Sequence, residues 1–214
     1  RININRAELK LLKAFLVVAG GLEADEAEAT AERIIDWRDE DDDKGLTQEP
    51  ETAYYERLGT PYVSHDGPFQ SPLELLLVEG VNRRLFVALR PYMTIYGSGG
   101  VDVNTASRTV LECVAYSVLE ETSDDLVDAL LSIRPQPDLV SFRRAIEDRY
   151  SNSLNDFLAV RRRLVATSTV YGGVAVGSPG AVPGLPGEPG DGPKGARVAF
   201  VVDSKGTRLY WHEN

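Results

Sequence analysis

Apolar and polar residues alternate at Ile2, Asn3, Ile4 and Asn5, a period-two pattern that predicts a short strand. Asn5 then suits a helix N-cap, with Glu8 at the third helical position. Leu9, Leu12, Phe15, Leu16 and Ala19 share one face of the helix that follows, and Gly20-Gly21 ends it. Asp25, with Glu28 three residues on, caps a second helix whose inward stripe is Ala27, Ala31, Ile34 and Ile35. Residues 51–58 read as a short helix closed by Gly59, and 60–70 as a turn-rich loop. Ser71-Pro72-Leu73-Glu74 combines a cap, a proline at the first helical position and an acid at the third. Residues 73–78 are nearly all apolar, so this helix is expected to be buried on most sides. Gly80 stops it, and a second short helix over 82–92 completes a hairpin.

After a turn at 96–100 the opening pattern returns. Val101, Val103, Asn104, Ala106 and Leu111 repeat Ile2, Ile4, Asn5, Ala7 and Leu12 at a constant offset. Two such segments predict strands that pair with one another and set two helices side by side. The second helix is expected over 104–120, another begins at Ser123 and ends before Pro135 and Pro137, and a last one covers 138–150 with Phe142, Ala145 and Ile146 inward. From about Asn155 the period changes to alternation. Arg163, Val165, Thr167, Thr169 and Tyr171 lie on one side of an extended run that 174–176 continues. Between 177 and 195, seven Gly and five Pro fill nineteen positions without an unbroken collagen triplet phase, so the stretch reads as a surface loop. Residues 197–202 and 207–212 are strands joined by the turn Asp203-Ser204-Lys205-Gly206. These strands need further strands or a packed helix, and a preceding N-terminal segment is the expected supplier.

Charge sharpens one stretch. The chain carries a formal net charge of −10. Thirteen Asp or Glu stand against Arg33, Arg38 and Lys44 over 25–56, so the deficit sits in that window. Phosphate backbones are repelled there, which disfavours nucleic acid. Within it, Asp36, Asp39, Glu40, Asp41, Asp42 and Asp43 crowd behind Trp37, a residue that favours burial. Such a run is either a solvated helix end or a cluster relieved by a hard cation such as Ca²⁺. Catalytic patterns are missing: there is no GxSxG, no P-loop and no dinucleotide fingerprint. His65 and His212 stand apart; Cys113 is the single cysteine, which excludes an intrachain disulfide, and it falls within one helical turn of Val110 and Val114, a core spacing. An enzyme is not expected.

Three stretches together, IIDWRDEDD, ETAYYERLGTPYVSHDGPFQSPLELLLVEGV and LRPYMTIYGSGGVDVNTA, resemble the K-type minor pseudopilin family of bacterial type II secretion systems. The opening RININRA resembles the family's INxNTA segment, which accounts for the repeat. The resemblance implies an α+β fold: a pilin-like antiparallel sheet carrying a large all-helical insertion with helix-hairpin-helix or SAM-like subregions. It places the first pilin strand at 1–4, the helical insertion at 5–153 and the C-terminal strands at 154–214, with the Gly/Pro loop at 177–195. It further implies a hydrophobic N-terminal helix anchored in the inner membrane, and a periplasmic, non-enzymatic role at the pseudopilus tip. The partners it implies are I- and J-type minor pseudopilins, other pseudopilus subunits and secreted proteins. Bound calcium is a family trait, and position carries the ligand set onto Asp39, Asp41, Asp42 and Glu51. The family's insertion disulfides have no counterpart here, Asp66 stands in the family's Asn-Gly-Pro, and Arg6 replaces a Thr.

The rival reading is a helix-hairpin-helix nucleic-acid binder of the DNA-uptake type, built on the Gly80 hairpin with Arg83, Arg84 and Arg90. A metal-dependent hydrolase using the Asp run lacks histidine ligands. If calcium is held at the acidic run, chelation lowers the unfolding temperature and Asp39→Ala abolishes that response. Identical melting curves with and without chelator would remove the site.

Overall fold

The computed structural model describes residues 1–39, 66–177 and 196–213. The chain divides into two compact units, 1–167 and 168–214.

The first unit is mainly helical and is built twice over. Its first half runs β1 (Ile2–Asn3), α1 (Leu9–Val18), α2 (Ala24–Arg38), a 3-10 helix (Pro72–Leu77), α3 (Arg83–Leu89) and β2 (Met93–Thr94). Its second half runs β3 (Val101–Asp102), α4 (Arg108–Leu119), α5 (Asp124–Ile133), α6 (Leu139–Arg149), α7 (Leu154–Val160) and β4 (Leu164–Val165). The repeated sequence thus marks a repeated structure. The strands, however, do not pair with each other as expected. Each pairs in parallel with the strand that closes its own half: Ile2 opposite Met93, and Val101 opposite Leu164. A parallel pair needs a long crossover, and the helices between β1 and β2, or between β3 and β4, supply it. What does come together across the halves is α1 and α4, side by side.

Each two-residue pair is held by an asparagine clamp. Asn5 accepts a hydrogen bond from Phe69 N–H (2.8 Å) and donates to the carbonyls of Phe69 (2.9 Å) and Ile95 (3.2 Å). Asn104 does the same one half later. It accepts from Gln136 N–H (2.9 Å) and donates to the carbonyls of Gln136 and Ala166, both at 2.8 Å. Neither asparagine is the N-cap predicted for it. The turn before each helix is longer than a cap, and α1 and α4 begin after Glu8 and Ser107. An arginine at the end of the second helix of each half reaches back to the same turn. Arg38 donates to the carbonyls of Ile4 and Ala7, and Arg134 to those of Val103, Asn104 and Ala106. Carbonyls in a half-buried turn need such donors. Burial pulls the Arg38 guanidinium below the ordinary arginine range.

The core of this unit is continuous. Ile2, Leu12, Phe15, Leu16, Ala27, Ala31 and Ile34 of the first half pack in one cluster with Val101, Leu111, Cys113, Phe142 and Phe157 of the second. Trp37 is buried and stacks on Phe69, their ring centroids 6.5 Å apart. Cys113 is core as expected, and desolvation pushes its thiol up to about 12.

Two domain boundaries differ from the sequence reading. Residues 1–4 lie in the helical unit, where β1 pairs with β2. Residues 154–167 also belong there, because 154–160 fold as α7 and bury Phe157 and Val160. Of the extended run expected from Asn155, the strands are β4 at Leu164–Val165 and, from Val170, the first strand of the second unit.

The second unit is a three-stranded antiparallel sheet in the order β5 (Val170–Gly177), β6 (Ala196–Asp203) and β7 (Arg208–Glu213). The predicted turn joins β6 to β7. Asp203 Oδ1 accepts from Lys205 N–H (2.9 Å) and Thr207 N–H (2.7 Å), and Gly206 takes the positive φ of 84° that the turn requires. Those donors hold the exposed Asp203 carboxyl below its usual range. Gly173 lies opposite Phe200 in the register, and a Cβ there would come within 2.7 Å of the ring. Most of the Gly/Pro loop, 178–195, lies outside the described residues.

Asn104→Ala is expected to cost about 2–3 kcal/mol in denaturant unfolding, three partly buried hydrogen bonds being lost at once. A loss below about 0.5 kcal/mol would show that the clamp holds nothing. Cys113 should ignore a thiol reagent in the native chain near pH 8 and react fully in denaturant. Because its folded value is raised, its stabilising effect is complete below 9.0 and is lost as pH rises toward about 12.

Candidate functional site

Of the four carboxylates proposed for calcium, the structure describes one. Asp39 closes α2, its N–H donating to the Ile35 carbonyl (3.1 Å), directly after the Arg38 that is tied to the β1–α1 turn. Asp41, Asp42 and Glu51 lie outside the described residues, as does the short helix expected over 51–58. The donor set is all carboxylate, which suits a hard cation. Among the described residues, no three of His, Cys, Asp and Glu gather as a metal site.

The Gly80 hairpin is the other feature that sequence reading singled out. The expected capping box is present: Ser71 Oγ accepts from Leu73 N–H (3.2 Å), and Glu74 accepts from Gln70 N–H (3.2 Å) and Ser71 N–H (2.8 Å). The helix it opens is 3-10 rather than α. With three residues per turn, side chains at i and i+3 line up in rows. Leu75 and Val78 form the buried row. Leu73 and Leu76 form another and stand 61% and 37% exposed, and Leu77 is 42% exposed. The expectation that this segment is buried on most sides is therefore corrected: its pitch hides one row of three.

Gly80 has φ +87°, and a Cβ there would lie 3.0 Å from Thr30 Oγ1 of α2, so the turn sits tight against that helix. Asn82 then caps α3 by accepting from Leu85 N–H (2.9 Å). Leu85, Phe86 and Leu89 of α3 face the core. Arg83, Arg84, Val87 and Arg90 recur at helical spacing on its outer face and are all exposed, Val87 to 61%. The acids of the hairpin are already engaged, Glu74 in the capping box and Glu79 with Arg33 at 3.3 Å. The three arginines make no hydrogen bond or ion pair among the described residues. As a phosphate cradle the hairpin is poorly equipped. Val81 N–H is spent on the Val78 carbonyl, and Leu85 N–H on Asn82. The sequence reading missed this outward apolar surface. The three-residue spacing of Leu73 and Leu76 was the available signal.

The sheet unit is uncovered in a different way. No described side chain of 168–214 is buried, and Tyr171, Val174, Leu209 and Tyr210 are all largely exposed. β5 and β7 each pair on one side alone within the sheet.

A helical unit with a doubled strand–helix pattern is thus followed in sequence by a small three-stranded sheet. Comparison with known proteins shows what the chain resembles. Residues 3–98 match the family described as Type II secretion system (T2SS), protein K. A protein named Type II secretion system protein K from Aeromonas hydrophila is 32% identical over 129 residues, covering 58% of this chain and 39% of that protein. The chain thus aligns with about two fifths of the length of this relative. A chain in the crystal structure of the GspK-GspI-GspJ complex of the enterotoxigenic Escherichia coli Type 2 Secretion System superposes with a TM-score of 0.70. That match has 16% identity and covers 99% of this chain and 75% of the other. Residues 3–98 of the chain thus resemble the type II secretion system protein K family.

Leu75→Ala is expected to cost about 2–5 kcal/mol by urea unfolding, as a buried leucine does. Leu76→Ser, one position on, should stay within about 0.5 kcal/mol of the parent. Equal losses at the two positions would contradict the 3-10 rows.

Proposed function

We propose that this chain is the periplasmic part of a minor pseudopilin that works by assembly at the tip of the type II secretion pseudopilus, beside I- and J-type minor pseudopilins. The observation that carries the reading is the sheet β5–β7. Three strands with no buried side chain among those described, the outer two each paired on one side within the described sheet, do not supply their own stability. Such a sheet is completed by a partner: a packed helix on its face, or strands and helices of sister subunits. In this reading β5–β7 are the pilin-like sheet, and the family's hydrophobic helix packs on it and anchors the protein in the inner membrane. The helical unit is the insertion, with helix-hairpin-helix-like hairpins in its two halves. It is internally packed, so its bulk serves as a cap and not as a fibre-forming surface. The protein turns over no substrate.

Calcium is the second part of the proposal. Asp39, Asp41, Asp42 and Glu51 are the ligands, fed from the end of α2. Arg38 fixes that end to the β1–α1 turn, so cation binding would stiffen the helical unit from its own core.

Co-purification with tagged I- and J-type pseudopilins tests the assembly reading. A stable ternary complex eluting as one species is expected. Separate elution of all three at micromolar concentration would overturn it.

A further inference from the structure

We infer that the outer surface of the Pro72–Leu77 and α3 hairpin is a docking site for a protein segment that carries both carboxylates and apolar side chains. The surface lies wholly within residues 71–90, so the inference does not depend on the assembly reading.

Three observations carry it. First, Leu73 and Val87 are each 61% exposed and Leu76 37%, on elements whose Leu75, Val78, Leu85 and Leu89 pack inward. A shallow depression runs along 76–82 beside them. Second, the charge around them has one unsatisfied sign. Glu74 and Glu79 are engaged within the fold, whereas Arg83, Arg84 and Arg90 have no partner among the described residues. In a chain of net charge −10, three guanidinium groups without a partner among the described residues on one helix face are a local excess of positive charge. Arginine takes a carboxylate through two parallel hydrogen bonds while its stem covers apolar surface. Third, the surface is preformed. The capping box, the Asn82 cap and the contact of Gly80 with Thr30 hold the hairpin against α2, so little ordering cost opposes binding.

The same features argue against duplex DNA, which has no use for the aliphatic side chains, while the hairpin amides that would hold a phosphate at Val81 and Leu85 are already donated. An anionic lipid surface would also meet arginines and leucines, and the vesicle arm of the test distinguishes it.

The test uses the whole chain and a short fluorescein-labelled peptide with glutamates along one side and leucines along the other. Saturable binding is expected by anisotropy, weakening with added salt. Arg83→Glu with Arg84→Glu should weaken it by at least about tenfold, and Leu76→Ser should weaken it as well. Both variants should melt with the parent, since the altered side chains are exposed. A peptide with lysine in place of glutamate should not bind. The inference is overturned by absence of saturable binding, by equal binding to the variants, or by duplex DNA or anionic vesicles displacing the peptide at lower concentration.

Discussion

A parallel pair of two residues per strand cannot hold a fold together, and this fold contains two such pairs. What holds them is an asparagine in each, Asn5 and Asn104, whose amide joins three separated backbone segments. Arg38 and Arg134 satisfy the carbonyls of the same turns from the far ends of α2 and α5. Each half of the helical unit is therefore closed by polar contacts at one end and by a shared apolar core along its helices. Two ion pairs also join the halves: the exposed Lys10 to Glu120 at 3.9 Å, which adds little, and the mostly buried Arg163 to the exposed Glu8 at 3.1 Å.

That economy explains the division of labour between the units. The helical unit buries its own core, whereas the sheet unit buries nothing among its described side chains. In the proposed reading this contrast has a meaning: the self-sufficient unit is the bulk, and the sheet is where a subunit would join its neighbours. The hairpin at Gly80 adds a second outward surface, rigid and locally basic.

Much of this was legible in the sequence. Ile2 and Ile4, Val101 and Val103 announced the strands, and Asp203 to Gly206 announced the final hairpin with its turn chemistry. Gly20-Gly21 and Pro135 ended helices where expected. The misses have physical causes. Asn5 and Asn104 have the composition of caps, but their bonds run to Phe69 and Gln136, distant in sequence, and no local rule sees them. The run 73–78 has one composition and two possible pitches, and the 3-10 pitch exposes what the α pitch would have hidden. Seven residues of α7, followed by three arginines, were too short a periodic stretch to stand out from the strands beyond. The acidic run was conspicuous in sequence, yet of its proposed ligands only Asp39 falls among the described residues. Its chemistry rests on charge crowding behind Trp37 and on the family resemblance.

The central claim is that the helical unit stands alone while the sheet is completed by other subunits. Amide hydrogen exchange on the chain, alone and with I- and J-type pseudopilins, tests it most directly. The account predicts slow exchange in α1, α4 and the Asn-clamped turns in both samples, and β5–β7 amides that exchange fast alone and slow by about a hundredfold in the complex. Sheet amides protected equally in both samples, or helical amides protected only in the complex, would contradict it.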